Sequence, residues 1–137
     1  MINSYDNTVQ TVTVNSLLNF SNNKIITGCT VTHTENSTNF NLNKPGYYFV
    51  SFNGSGATSA TAGEITAQLL LNGEEVPGAV ASSYSGATTE NVDLGFCSIV
   101  KVYPSCCCVD NSAVLTVQNS GVGATFSNLN IVITKLC

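Results

Sequence analysis

An all-β antiparallel sandwich is the fold this sequence predicts, on three observations. β-branched and aromatic residues recur in alternating patterns along most of the chain, Gly, Asn and Pro interrupt them at short intervals, and helical periodicity is nearly absent. The length of 137 residues is that of a single domain, taken here as residues 1–137, and lets a core form without disulfide or metal.

The elements follow in order. Val9 to Val14 sets Val9, Thr11 and Thr13 against Gln10, Val12 and Val14, as a strand with one buried face does. Leu17 to Phe20 reads as a short helical turn or a bulge. Ile25-Ile26 and Cys29 to Thr34 are β-prone, and Asn39 to Leu42 runs into the turn at Lys44-Pro45-Gly46. Tyr47 to Phe52 is the strongest strand: nearly every position is aromatic or β-branched, so it is expected to lie centrally with cover on both faces. Gly54 to Gly63 is small and polar and predicts a loop. Glu64 to Leu71 then leads into Asn72-Gly73, the pair that suits a type I′ hairpin because both central residues need positive φ. Glu74 to Val80 returns along it, with Pro77-Gly78 marking a bulge or an edge.

After a predicted loop at Ser82 to Thr88, Glu90 to Tyr103 reads as one long strand closed by Pro104. Ala113 to Gln118 follows, then a glycine loop at Gly121 and Gly123, and Asn128 to Leu136 as a terminal strand. About eight to ten strands result, the range of sandwiches and jelly rolls.

Charge narrows the function classes. Hydrophobic residues make up 43% and charged residues only 9%, a balance expected of a chain that hides surface in an oligomer. The net charge is −4, the four lysines (Lys24, Lys44, Lys101, Lys135) stand singly and there is no arginine, so nucleic acid is excluded as a partner. No apolar run approaches the roughly 20 residues that cross a bilayer, so no membrane insertion is expected, and Met1 to Gln10 lacks the regions of a secretory signal.

Candidate chemistry is sparse. The only histidine, His33, shares a strand face with Val31 and Cys29, and no Gly-x-Ser-x-Gly surrounds any serine, so no catalytic residue is assigned. Glu64, Glu74, Glu75, Glu90 and Asp93 are the acids from which a carboxylate pair would be drawn, and their spacing fixes no separation. Cys106, Cys107 and Cys108 are consecutive, a poor disulfide arrangement and too close for the usual zinc spacing, and are read with Cys97 and Cys137 as structural thiols. Asp110 with Asn111 is the only set suggesting calcium. No cofactor or metal is expected. Asn36-Ser37-Thr38 and Asn53-Gly54-Ser55 match the glycosylation pattern.

Three pieces in order carry a family resemblance. They are Phe40-Asn41-Leu42 followed by Pro45-Gly46-Tyr47-Tyr48-Phe49-Val50-Ser51-Phe52; Gln68 to Gly73 with Val76-Pro77-Gly78; and Leu115 to Asn119 with Leu129 to Leu136. Together they resemble the superfamily uniting tumour necrosis factor with the globular head of complement subcomponent q, in its bacterial spore-surface or phage-associated form. The chain departs from that pattern in reading Asp110-Asn111-Ser112 where a Gly-Asp turn is common, and in carrying no collagen-like repeat. The resemblance implies a ten-strand jelly roll that forms a homotrimer. Its core and axis candidates are Tyr48, Val50, Phe52, Phe49, Phe96 and Tyr103. The function it implies is a non-enzymatic structural or recognition module of a bacterium or phage, placed on a spore surface or phage particle and binding a protein or glycan through loops such as Ser55 to Gly63 and Ser82 to Thr89. The alternatives are a carbohydrate-binding module presenting Tyr5, Tyr84 or Tyr103, and a hydrolase on a β-sandwich scaffold.

Overall fold

The computed structural model describes residues 1–104 and 112–136. Cys106, Cys107, Cys108, Asp110, Asn111 and Cys137 lie outside the described residues. Among the described residues, eleven strands form two antiparallel sheets. The first sheet contains β1 (Ile2–Asp6), β2 (Gln10–Val12), β3 (Asn22–Ile26), β6 (Gly46–Thr58), β9 (Val92–Val102) and β11 (Ala124–Lys135). Its order is β3-β1-β11-β6-β9, with β2 paired to the far end of β11. The second sheet, ordered β4-β5-β10-β7-β8, contains β4 (Val31–His33), β5 (Phe40–Leu42), β7 (Gly63–Leu71), β8 (Glu74–Ser85) and β10 (Ala113–Asn119). From β5 onward the chain crosses repeatedly between the sheets, which is the jelly-roll course.

Alternation decides what enters the core. On β6 the side chains of Tyr48, Val50 and Phe52 are buried, and they meet Ile131 and Ile133 of β11 within the sheet. The second sheet supplies Ile65, Leu69, Leu115, Val117, Phe40 and Leu42. Phe96 lies directly opposite Phe52 and stacks on it, ring centroids 5.1 Å apart. The Tyr48 hydroxyl donates to the carbonyl of Lys44 at 2.5 Å, and burial pushes its phenol pKa up.

The Asn72-Gly73 turn has the positive φ values the dipeptide predicts, 52° and 84°. Pro77-Gly78 sits at a register shift on β8, which is an edge strand, and Gly78 has φ of 80°. Several boundaries differ from the sequence reading. The strand expected over Val9 to Val14 is only Gln10–Val12, because Asn15 takes φ of 65° and the Ser16 amide turns back to the Thr13 carbonyl. Leu17 to Phe20 forms isolated bridges, Leu17 with Gln118 and Phe20 with Ser37, and no helical turn.

The segment Gly54 to Gly63, read as a loop, continues β6 as far as Thr58. Its small residues are there for close packing: a Cβ on Gly54 would meet the Leu129 side chain, and one on Gly56 would meet Phe126 and Ile65. Likewise Ser82 to Ser85 belong to β8, so the connections are only 59–62 and 86–91.

Buried polar groups pin the remaining corners. Asp6 accepts from the Thr8 amide at 2.9 Å, the Gln10 amide at 2.6 Å and the Ser21 hydroxyl at 3.1 Å. Asn119 donates to the carbonyls of Val12 and Val122 and accepts from the Gly121 amide. His33 is buried, stacked on Phe40 at 4.2 Å and edge-on to Phe20. Its Nδ1 is 2.6 Å from Asn23 Oδ1 and its Nε2 is 3.0 Å from the Ser37 carbonyl. Asn23 donates its own amide to the His33 carbonyl, which fixes Oδ1 as an acceptor. A neutral ring therefore donates to one of these oxygens, and only the cation donates to both. Burial opposes that cation and lowers the pKa from the ordinary 6.5, against the raising effects of the Ser37 carbonyl and Glu35.

Two outcomes follow for stability. Because the folded-state pKa of His33 lies below its unfolded value, the unfolded chain binds more protons between the two. Stability therefore falls as pH drops from 6.5 through that window. Urea titrations of wild type and His33→Gln over that range are expected to show a shallower decline in the variant, and equal slopes would contradict the assignment. Gly121 packs against β7, held by Val122 donating to the Glu64 carbonyl at 3.0 Å, and an added Cβ would meet the Glu64 oxygen and the Thr66 nitrogen. Gly121→Ala is expected to lower unfolding free energy by about 1–3 kcal/mol, and a loss under about 0.5 kcal/mol would show that the loop yields.

Candidate functional site

The alternation that buries Tyr48, Val50 and Phe52 turns Tyr47, Phe49, Ser51, Asn53 and Ser55 to the outer face of the first sheet. Strand register then sets what stands beside them. Tyr47 faces Lys101, Phe49 faces Ile99 and Thr134, and Ser51 faces Cys97 and Val132. Asn53 faces Gly95 and Asn130, and Ser55 faces Asp93 and Ser127. The face is thus graded along its strands, aromatic and aliphatic at the end where β6 begins, amide and hydroxyl at the other.

At the apolar end Tyr47, Ile99 and Tyr103 are 42%, 58% and 71% exposed, and Leu136, whose amide donates to the Tyr47 carbonyl, is 51% exposed. The charges on this end are Glu74 and Glu75, across a groove they share with Ile99 and Tyr103, and Lys101. The Lys101 ammonium lies 4.6 Å from the Tyr103 ring centroid and 5.2 Å from that of Tyr47, so both rings screen it and its aliphatic stem adds to the apolar surface. Monomers rarely leave large contiguous apolar patches in water.

At the polar end a cleft of about 300 Å³ is lined by Asn53, Gly54, Ser55, Asp93, Leu94 and Asn128. It opens where the ladder between β11 and β6 breaks, between Ser127 and Asn130, and Asn128 there takes φ of 54°. Ser55 Oγ lies 3.2 Å from both the carbonyl and the hydroxyl of Ser127. Beyond the cleft, Asn3 of β1 donates to Asn130 Oδ1 at 2.8 Å and to the Ile131 carbonyl at 3.1 Å.

The residues singled out from sequence distribute as follows. Tyr48, Val50 and Phe52 are in the core and Phe96 packs against it, while Phe49 is half-buried and Tyr103 exposed on the outer face. Tyr5 projects from β1 onto the same face, but Tyr84 stands opposite Glu64 on the outer face of the second sheet. The acids do not gather. Asp93 is at the cleft, Glu64 is on the opposite sheet, Glu74 and Glu75 follow the hairpin, and Glu90 Oε2 accepts from the Gly86 amide at 3.1 Å. His33 is committed to Asn23 and Ser37 as described. Cys29 and Cys97 are exposed free thiols. Among the described residues no group of three or more His, Cys, Asp or Glu is placed to share a metal ion, and no helix is long and apolar enough to cross a membrane. The cleft was not foreseen from sequence. In the sequence Asn53 belongs to a glycosylation pattern and Asp93 to the scattered acids, and the β6–β9 register, which pairs Asp93 with Ser55, brings both to one cleft.

No protein-family model matches the chain, and no curated protein matches it. Among solved structures, the chain is similar to "CBM35 from Cellvibrio japonicus Abf62", with 14% identity over 97% of this chain and 96% of that one and a TM-score of 0.43. It is also similar to a family 35 carbohydrate binding module from Clostridium thermocellum, with 17% identity over 96% and 95% of the two chains and a TM-score of 0.36.

Proposed function

We propose that this chain is a non-catalytic recognition module that assembles as a homotrimer, packing the apolar end of the first sheet's outer face against its own copies. The carrying observation is that end itself: Tyr47, Ile99, Tyr103 and Leu136 exposed together, with the Lys101 charge screened by two rings. A second copy is the occupant best suited to it, because a chain with 9% charged residues offers a like surface of low desolvation cost. Three copies is the number implied by the family resemblance that the three segments, Phe40 to Phe52, Gln68 to Gly78 and Leu115 to Leu136, carry in order. The assembled module binds a protein or glycan partner, and trivalency raises the strength of an individually weak contact.

A second reading is a carbohydrate-binding module acting without assembly. The observation favouring it is the amide- and hydroxyl-lined cleft at the polar end, whose groups suit an uncharged, hydroxyl-rich ligand.

Light scattering in reducing buffer is expected to give three times the chain mass of 14.3 kDa. Ile99→Lys, in the centre of the apolar end, is expected to give a folded monomer by the same measurement with an unchanged circular dichroism spectrum. A wild-type monomer would overturn the assembly and leave the second reading standing.

A further inference from the structure

We infer that the cleft at the break in β11 is a binding site for a single neutral sugar unit, an inference that rests on the glycan arm of the function proposed above. Asn53 and Ser55 reach it from β6, Asp93 from β9 and Asn128 from β11, so three strands build one site. Among the described residues the side chains of Asn53, Asp93 and Asn128 make no hydrogen bond. Asp93 is engaged through its main chain, its carbonyl accepting from the Ser83 hydroxyl at 2.9 Å. Two carboxamides and one carboxylate suit a vicinal diol. A hydroxyl donates to the carboxylate while its oxygen accepts from an amide N–H, and the neighbouring hydroxyl repeats the pattern.

The backbone points to the same place independently. The β11–β6 ladder is regular on both sides and is interrupted only between Ser127 and Asn130. Asn128 holds a left-handed conformation there, which re-aims its side chain to the cleft in the way bulges redirect side chains near binding sites. Gly54, which also lines the cleft, carries no Cβ where the buried Leu129 side chain packs.

Size and charge define the ligand further. A volume of about 300 Å³ is at the lower end of small-molecule sites, room for one ring and not a buried chain. Asp93 in a protein of net charge −4 selects against acidic sugars. No aromatic ring lines the cleft, so one site binds weakly and several copies are needed for a tight hold.

The test is an amide NMR titration of the full chain with the methyl glycosides of glucose, galactose, mannose and N-acetylglucosamine, each to roughly 50 mM. Saturable shifts are expected at the Asn53 and Asn128 side-chain amides with at least one glycoside. Asp93→Ala is expected to weaken that binding by about tenfold or more. Asn128→Gly, which keeps the left-handed backbone accessible and removes only the amide, is expected to weaken it about threefold or more. Saturable binding that both variants leave unchanged overturns the cleft and keeps the glycan reading. No saturable shift with any of the four overturns both. Shifts at these amides with calcium chloride and none with the glycosides reassign the cleft to a cation and overturn the inference.

Discussion

The register of β6 between β11 and β9 is the constraint on which the rest of the structure depends. Strand side chains alternate with a period of two, so a slip of one residue would bury Tyr47, Phe49 and Ser51 and expose Tyr48, Val50 and Phe52. Ten Cα pairings to β11 and eleven to β9 hold the strand against that slip. The core, the graded outer face and the cleft are three readings of this one alignment. Close sheet packing at Gly54 and Gly56 fixes it further, because a Cβ at Gly54 would displace the Leu129 side chain and one at Gly56 would press on the Thr125 carbonyl, Phe126 and Ile65.

Much of this is legible in the chain where local chemistry and tertiary role agree. Tyr47 to Phe52 announces a central strand, although only one of its faces is covered and Tyr47 is exposed where the pattern predicts cover on both. Asn72-Gly73 announces the β7–β8 hairpin and Pro77-Gly78 an edge, because each pattern has a single economical backbone answer. β1 escapes notice for the opposite reason. Its inward positions after Ile2 are Ser4 and Asp6, and their burial depends on Asn23, Ser21, Gln10 and Thr8, partners that no alternation pattern reveals. The extension of β6 through Gly54 to Thr58 is hidden similarly, since glycine and serine signal a loop locally and a close sheet contact only in three dimensions.

The outer face was partly legible. Phe49 and Tyr103 stand out as rings without an evident inward role, yet Ile99, Lys101 and Leu136 join them only through pairing. The cleft was not legible at all, because Ser55 and Asp93 are neighbours through cross-strand register and Asn128 reaches them through a break in the ladder. Composition did convey the character of the surface. A chain so poor in charge has amides, hydroxyls and rings left with which to face either a partner or itself, and the sheet sorts them to opposite ends.

The position of β11 bears on the order of events during synthesis. β11 lies between β1 and β6 and also pairs β2, so until Ala124–Lys135 leaves the ribosome the first sheet consists of two separate pairs, β3-β1 and β6-β9, with β2 unpaired. The cleft is incomplete before then, because Asn128 comes from β11, whereas Tyr47, Ile99 and Tyr103 of the apolar end lie on or beside β6 and β9. The polar end of the face is therefore completed later in synthesis than the Tyr47, Ile99 and Tyr103 group of the apolar end, although the two share one sheet.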